Sequence, residues 1–444
     1  MVGHYGRGIP LQMSKTPTRR SFIKKSLSAA GIAMGFPCIV PGSALGLNGA
    51  VAPSNRITTA TIGLGGQGVG VMRVFLGQPD AQVIAVCDVN AHRREDAKTL
   101  VNSHYGETGC AVYGDFRELL ARNDLDAVQI VAPDHWHVPL ALAAARAGKD
   151  MYVEKPLGLS MAANQALREA IRTHGNVFQF GTQHRSERNF RFGCELVRNG
   201  RIGRLQTIRV GSLPSLVSEN LSEEPVPDWL DYEMWLGPAP WAPFNNKRIV
   251  NQYWWHNYDY SLGFVAGYGV HYVDIAQWGN NTELSGPVMI EGAGVFPKDG
   301  MRDCAIAWDV LMTYSNGVKL VYTDTSKTPE GITFEGDEGT VYVTLGRTTS
   351  SPDSLVKTAW GPNDLRLYES NDHVKNFLEC VKSRVETICP IEVAVRSDTL
   401  CHLSDIAMRR CRKLQWDPIA ERFAGDEDAN HYLAARSMRE PWRL

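Results

Sequence analysis

Ten residues constrain this chain more than any others: Thr61–Gly70, TIGLGGQGVG. The preceding residues 56–62 read as a buried strand, and Val69–Leu76 continues with helical periodicity. Between them Gly63, Gly65 and Gly68 stand in G-x-G-x-x-G spacing. One glycine permits a tight turn, one lets the backbone approach a pyrophosphate, and one lets helix pack closely on strand. The open N–H groups at the helix start and their partial positive charge suit phosphates. A second apolar strand, Gln82–Cys87, runs straight into Asp88, 20 residues after Gly68. A carboxylate there takes both ribose hydroxyls of NAD and repels the 2′-phosphate of NADP, so NAD is the expected cofactor. The unit is a dinucleotide-binding α/β domain with a parallel sheet.

The following residues extend the same sheet. His92–Tyr105 reads as a helix that places Arg93 against the adenine. Asp126–Ala132 reads as a fully buried strand that stops at Pro133-Asp134-His135-Trp136-His137, with a helix expected over 138–147. His-x-His at a strand end is a candidate metal pair, but no third ligand is fixed nearby, so no metal is assigned. The loop is read instead as lining the nicotinamide, through Pro133 and His137. Asp150–Val153 is the next strand, delivering Glu154-Lys155-Pro156. A lysine held beside a nicotinamide can hydrogen-bond a substrate oxygen and help to move its proton. Gln183 and Arg185 follow the next strand, in reach of nicotinamide and substrate respectively.

The length of 444 residues predicts two or three domains. With 43% hydrophobic and 21% charged residues the chain can bury a sizeable core, and a net charge of −2 gives no basic face for nucleic acid. No stretch is apolar enough for a stable membrane span after processing. The start is read apart from the fold. Thr18-Arg19-Arg20-Ser21-Phe22-Ile23-Lys24 is a twin-arginine pattern, followed by an uncharged stretch from Ser26 to Leu47 and small residues. It is the pattern of an export signal for the Tat machinery, predicting a periplasmic or otherwise exported protein. Tat carries folded proteins, so an exported dinucleotide enzyme leaves with its cofactor inside, and a tightly held cofactor follows. The nine cysteines, Cys38 in the signal and eight beyond it, are scattered without C-x-x-C, and most read as buried thiols.

Ser212–Trp278 holds six of the eleven tryptophans. Aromatic faces suit the C–H faces of sugar rings, and packing of a long loop accounts for them equally well. Trp254, Trp255, His256 and Asp259 are the candidate substrate contacts. Further on, Gly269-x-His271-x-x-Asp274 places His271 and Asp274 on one helix face. A histidine titrating near neutrality can exchange the proton of a sugar hydroxyl. Alternating segments from 305 to 343, with a hairpin signal at Asn316-Gly317, predict a sheet of a second domain.

Taken together, the glycine motif, Asp88, the Pro133–His137 loop, Glu154-Lys155-Pro156 and Gly269–Asp274 resemble the glucose–fructose oxidoreductase, inositol dehydrogenase and rhizopine-catabolism family (Gfo/Idh/MocA), over most of residues 57–420. The resemblance implies a Rossmann domain followed by an α+β domain with a large, mostly antiparallel sheet, whose free face meets another copy of the chain in a homo-oligomer. Domain limits are set at 1–50 for signal and linker, 51–183, 184–424, and a tail over 425–444. It also implies that Lys155 is catalytic and that a carbohydrate substrate lies between the domains. The family often reads Asp-x-Gly-x-His-x-x-Asp; here the first Asp is Gly267, leaving Tyr268 or Asp259 to take its part. The expected activity is hydride transfer at a hydroxyl-bearing carbon of a sugar, sugar derivative or cyclitol. The alternatives are redox-neutral, NAD-dependent glycoside cleavage and a non-catalytic sugar-binding protein.

Overall fold

The computed structural model describes Ala52 and residues 55–444. The twin-arginine segment and the uncharged stretch from Ser26 to Leu47 therefore lie outside the described residues. Among those described, no helix is long and apolar enough to cross a membrane.

The first half alternates strand and helix: β1 (Ile57–Ile62), α1 (Gly66–Leu76), β2 (Ala81–Cys87), α2 (Ala91–Tyr105), β3 (Ala111–Tyr113), α3 (Phe116–Leu120), β4 (Ala127–Ile130), α4 (Asp134–Arg146), β5 (Asp150–Val153), α5 (Met161–His174) and β6 (Phe178–Phe180). The six strands form one parallel sheet in the order β3-β2-β1-β4-β5-β6. Helices cover both faces, so β4 and β5 are buried at every residue. The order reverses between β1 and β4, which opens a crevice at their carboxyl ends. Contrary to the sequence reading, α4 starts at Asp134 and not after His137, with Pro133 as its N-cap residue. The Asp134–His137 stretch is thus the first turn of a helix, which fixes its side chains.

After a 3₁₀ turn at Gln183–Ser186 come α6 (Arg188–Arg198), β7 (Leu205–Ser212), α7 (Tyr232–Leu236), α8 (Asn251–Trp254), α9 (Phe264–Gly267) and α10 (Val270–Gly279). Then follow β8 (Met289–Val295), β9 (Ala307–Thr313), β10 (Lys319–Asp324), β11 (Gly331–Gly336), β12 (Thr340–Thr344), β13 (Arg347–Ser351), α11 (His373–Ser383), α12 (Ile391–Arg410), β14 (Leu414–Asp417), β15 (Arg422–Phe423) and α13 (Glu427–His431). Nine strands make a second sheet, β13-β12-β11-β7-β10-β9-β8-β14-β15, antiparallel except for β7 beside β10. Its inner face buries Ile208, Val210, Val310, Met312, Leu320, Tyr322, Ile332 and Phe334 against α10 and α12.

The residues around the Gly269–Asp274 motif form two helices, broken at Tyr268–Gly269. Gly269 sits so close to β10 that a Cβ there would lie 1.8 Å from the Tyr322 hydroxyl, so only glycine lets the break pack on the sheet. The tail does not lie free. Trp442 packs edge-on against Trp136 at 4.8 Å and beside Phe116 at 6.3 Å. Arg439 donates to the carbonyls of Glu233 (2.8 Å) and Gly237 (3.2 Å) and pairs with the Glu233 carboxylate.

Candidate active site

The crevice at the β1/β4 reversal holds a cavity of about 390 Å³. One wall is the glycine loop. A Cβ on Gly68 would lie 1.9 Å from the Gly63 oxygen, and one on Gly63 2.5 Å from the Val131 oxygen. Both positions demand glycine because the clashing partner is backbone. At Gly65 the nearest atom to such a Cβ is Arg93 Nη1 at 3.9 Å, so this glycine faces open space. α1 has no side-chain cap, which leaves its first N–H groups to a ligand. An open cradle above an uncapped helix start fits a dinucleotide pyrophosphate.

At the adenosine end lie Asp88 and Arg93. The Asp88 carboxylate accepts from the backbone N–H of Leu64 (2.6 Å) and of Asn90 (2.8 Å), which fixes it at the rim of the loop. Burial raises its pKa, opposed by Arg93 and those two N–H groups. At the other end lie Pro133, His137, Glu154 and Lys155. The His137 ring nitrogens lie 2.6 Å from the Pro156 oxygen and 2.8 Å from the Ala132 oxygen. Burial pushes its pKa down to about 4, so at neutral pH the ring donates to one carbonyl at a time and ties the ends of β4 and β5 together. Gln183 does not reach the cavity. It stands behind Glu154, donating to Glu154 Oε1 at 3.1 Å, as does Gln67.

Among the described residues, Lys155 is the cavity's one lysine. Its Nζ donates to the backbone oxygen of Gly267 at 2.6 Å and lies 5.7 Å from the Trp255 ring centre. The position where the resemblance expected a carboxylate thus gives Lys155 a carbonyl. Neither suggested substitute takes that part. The Tyr268 hydroxyl donates to Glu330 at 2.9 Å, and Asp259 faces Arg436 and Arg248.

The remaining site expectations need correction. Asp274 is fully buried, receiving Arg185 Nε (2.8 Å), Arg185 Nη2 (2.9 Å) and Ser397 Oγ (2.7 Å). Arg185, 3% exposed, also reaches Glu283 at 2.7 Å. The pair is an internal tie and is not part of the lining of the dinucleotide cavity. His271 is buried as well, its ring stacked on His184 at 4.6 Å and its Nδ1 without a partner among the described residues. Burial, then His184 and Lys155, hold its pKa well below the usual histidine value, not near neutrality as expected. His256 is packed under Phe264 at 4.6 Å and does not face the cavity. Of the substrate candidates, Trp254 and Trp255 do line it.

These two tryptophans belong to a strap, residues 213–260, that crosses from the second sheet onto the Rossmann half. Leu230 bridges to Asn90, Ala91 N donates to the Trp229 oxygen at 2.8 Å, and Trp229 stacks on His92 at 5.4 Å. Further along, Trp136 Nε1 donates to the Trp235 oxygen at 3.1 Å. The strap has its own apolar core of Leu230, Tyr232, Trp235, Phe244, Trp254 and Tyr260. Most of the aromatic residues in this stretch are therefore packing, and Trp241 is 63% exposed. Residues 249–252 of the strap wall the cavity opposite the glycine loop. The strap's docking site escapes sequence reasoning; Asp134, inside the loop read as lining the nicotinamide but not singled out there, lines the cavity at only 2% exposure.

Comparison with known proteins agrees with this geometry. Residues 57–182 match the oxidoreductase family's NAD-binding Rossmann fold, and residues 215–444 match the family's C-terminal alpha/beta domain. An uncharacterised oxidoreductase of Bacillus subtilis is 24% identical over 350 residues, 76% of this chain and 89% of that protein. A glycosyl hydrolase family 109 protein of Saccharopolyspora erythraea is 30% identical over 176 residues, only 36% of this chain and 37% of its own length. Among solved structures, levoglucosan dehydrogenase in complex with NADH and levoglucosan superposes with a TM-score of 0.59 at 15% identity, covering 81% of this chain and 99% of that one. The chain belongs to the Gfo/Idh/MocA oxidoreductases, with an NAD-binding Rossmann domain joined to the family's C-terminal α/β domain.

Proposed function

We propose that this enzyme dehydrogenates a sugar, sugar derivative or cyclitol with a captive NAD, outside the cytoplasm. The carrying observation is Lys155 Nζ, held on the Gly267 oxygen near the Trp255 ring in the lining of the dinucleotide cavity. When bound, the nicotinamide supplies the hydride acceptor or donor. Gly63, Gly65, Gly68, Asp88 and Arg93 hold the adenosine and phosphate side, and Pro133, His137 and Glu154 the other side. Lys155 hydrogen-bonds the substrate oxygen and exchanges its proton. Trp255 offers an aromatic face to a C–H-rich ring, and the strap walls the cavity. His271, buried and neutral, supports the helix break that presents the Gly267 oxygen.

The strap and tail support the captive cofactor, since release requires lifting packed aromatic side chains from the rim. Asp88 supports NAD over NADP. The twin arginines at Arg19-Arg20 support Tat export to the periplasm, and the open face of the nine-stranded sheet is the surface for a homo-oligomer. The levoglucosan dehydrogenase and the glycosyl hydrolase relative act, by their names, on carbohydrates, which supports the substrate class.

The test is to purify the exported protein without added nucleotide, denature it and measure NAD(H) and NADP(H) per chain. Near one NAD(H) per chain is expected; none removes the captive cofactor from the reading. Lys155→Met should abolish reduction of the bound cofactor by substrate, and full turnover in that variant removes the role of Lys155. The glycosyl hydrolase relative favours a second reading, redox-neutral glycoside cleavage, although its match is confined to about a third of either chain. Release of free sugar from an aryl glycoside without external NAD would select it.

A further inference from the structure

If the enzyme is a dehydrogenase as proposed, the substrate hydroxyl must lose a proton inside a cavity that offers few acceptors. Lys155 is paired with a carbonyl, which cannot take a proton onward. Glu154 is engaged on both oxygens, Oε1 by Gln67 and Gln183 and Oε2 by the Lys155 N–H. Asp88 is held by two backbone N–H groups at the adenosine end. His137 is clamped between two carbonyls, and His271 is not among the lining residues.

One carboxyl group remains. Asp134 opens α4 at the carboxyl end of β4, and Lys155 follows the end of β5, the neighbouring strand in the sheet. Both line the same cavity. Asp134 Oδ2 accepts from Ser261 Oγ at 2.7 Å, and that hydroxyl in turn accepts from the Gly263 N–H at 3.1 Å. Gly263 is the N-cap residue of α9, whose last residue, Gly267, holds Lys155. Thus one short helix is tied to Asp134 at its start and to Lys155 at its end. Among the described residues no other residue donates to Asp134 Oδ1.

We propose that Asp134 is a second proton-transfer residue of this site, exchanging a proton with Lys155 and the substrate oxygen across the cavity. The charged groups facing it are Lys155 after β5 and Asp398 on α12, while His137 on its own helix turns both ring nitrogens to the Pro156 and Ala132 oxygens. Burial raises the Asp134 pKa to about 7, with Ser261 and Lys155 holding it down and Asp398 pushing it up, so it can both take and release a proton near neutral pH. Written from the ammonium of Lys155 and the carboxylate of Asp134, one proton passes from Lys155 to Asp134. Lys155 then takes the hydroxyl proton as the C–H bond breaks and its electron pair leaves as hydride to the nicotinamide. Asp134 returns its proton to water. The sum is a new C=O, one hydride on the cofactor and one proton released.

The experiment uses the NAD-loaded enzyme and reads single-turnover reduction of the bound cofactor by myo-inositol and by glucose, against pH. The wild type should show a rate that rises with a midpoint near 7, the value set for Asp134. Asp134→Asn should keep its NAD, lose that limb and react about 100-fold more slowly. Ser261→Ala keeps the carboxyl but removes the bond that favours its ionised form, so the limb should move to higher pH. Independently of substrate, infrared difference spectra should show a carboxyl titrating near 7 that is missing in Asp134→Asn. An unchanged rate and pH profile in Asp134→Asn, or an unmoved limb in Ser261→Ala, overturns the proposal while leaving the dehydrogenase reading in place. If neither polyol reduces the wild-type cofactor, the dehydrogenase reading falls, and the proton-transfer role of Asp134 falls with it.

Discussion

Asp134→Asn has a consequence for stability that can be worked out in advance. Asp134 is 2% exposed and its pKa is raised from 3.8 to about 7, mainly by burial. The folded state therefore holds a proton over a range in which the unfolded chain has lost it. Stability from this group is fully present below about pH 4 and is lost progressively as pH rises to about 7. The shift is roughly three pH units, and at 1.36 kcal/mol per unit the loss reaches about 4 kcal/mol. Asparagine keeps the shape and the bond from Ser261 but cannot ionise. Urea unfolding of both proteins, nucleotide-free, should give similar stabilities at pH 4. At pH 8 the variant should be the more stable by about 2–4 kcal/mol. Other titrating groups are common to both proteins and cancel in the difference. A difference that does not grow with pH, or a variant that is the weaker at pH 8, refutes the claim that a costly buried carboxylate is kept here.

Four further outcomes follow from the geometry. Asp274→Asn or Arg185→Met leaves its partner buried without its counter-charge, and denaturant unfolding should show a loss of about 3–5 kcal/mol; a stable but inactive variant would return the pair to the active site. Gly68→Ala places a Cβ on the Gly63 oxygen, so the purified protein should carry no dinucleotide while its circular dichroism stays native. Trp442→Ala removes the tail's hold on Trp136, and bound NAD should dissociate about tenfold faster in a dilution assay. Gly267→Asp has room, since a Cβ there meets nothing nearer than Phe264 Cδ1 at 3.7 Å, and should cost under about 1 kcal/mol in thermal unfolding.

The parts of the site legible in the sequence are those fixed by spacing along one strand–turn–helix unit. Gly63, Gly65 and Gly68, Asp88 and Lys155 each owe their place to the end of a parallel strand, and strand ends can be counted from an apolar run. Arg185 and Asp274 lie 89 residues apart and meet through the packing of the 3₁₀ turn on α10, which no local pattern encodes. The helix face shared by His271 and Asp274 follows from their spacing, but burial on that face decides the chemistry. Residues 213–260 are recognisable as aromatic, yet aromatic composition serves a sugar and a hydrophobic strap equally. Asp134 does leave a signal: a carboxylate placed directly after Pro133 at the end of an apolar strand. The sequence places it in a loop that lines the nicotinamide, but the burial that sets its chemistry comes from the packing of Ser261 and α12, which the loop does not encode.

The bond from Lys155 to the Gly267 oxygen makes the lysine's anchor independent of residue identity. Every amino acid carries a carbonyl, so a substitution at position 267 that preserves the end of α9 preserves the anchor. The side chain there is then free to change with the shape of the substrate without unseating the reactive amine. A site wired through backbone in this way can drift in specificity while its chemistry stays fixed.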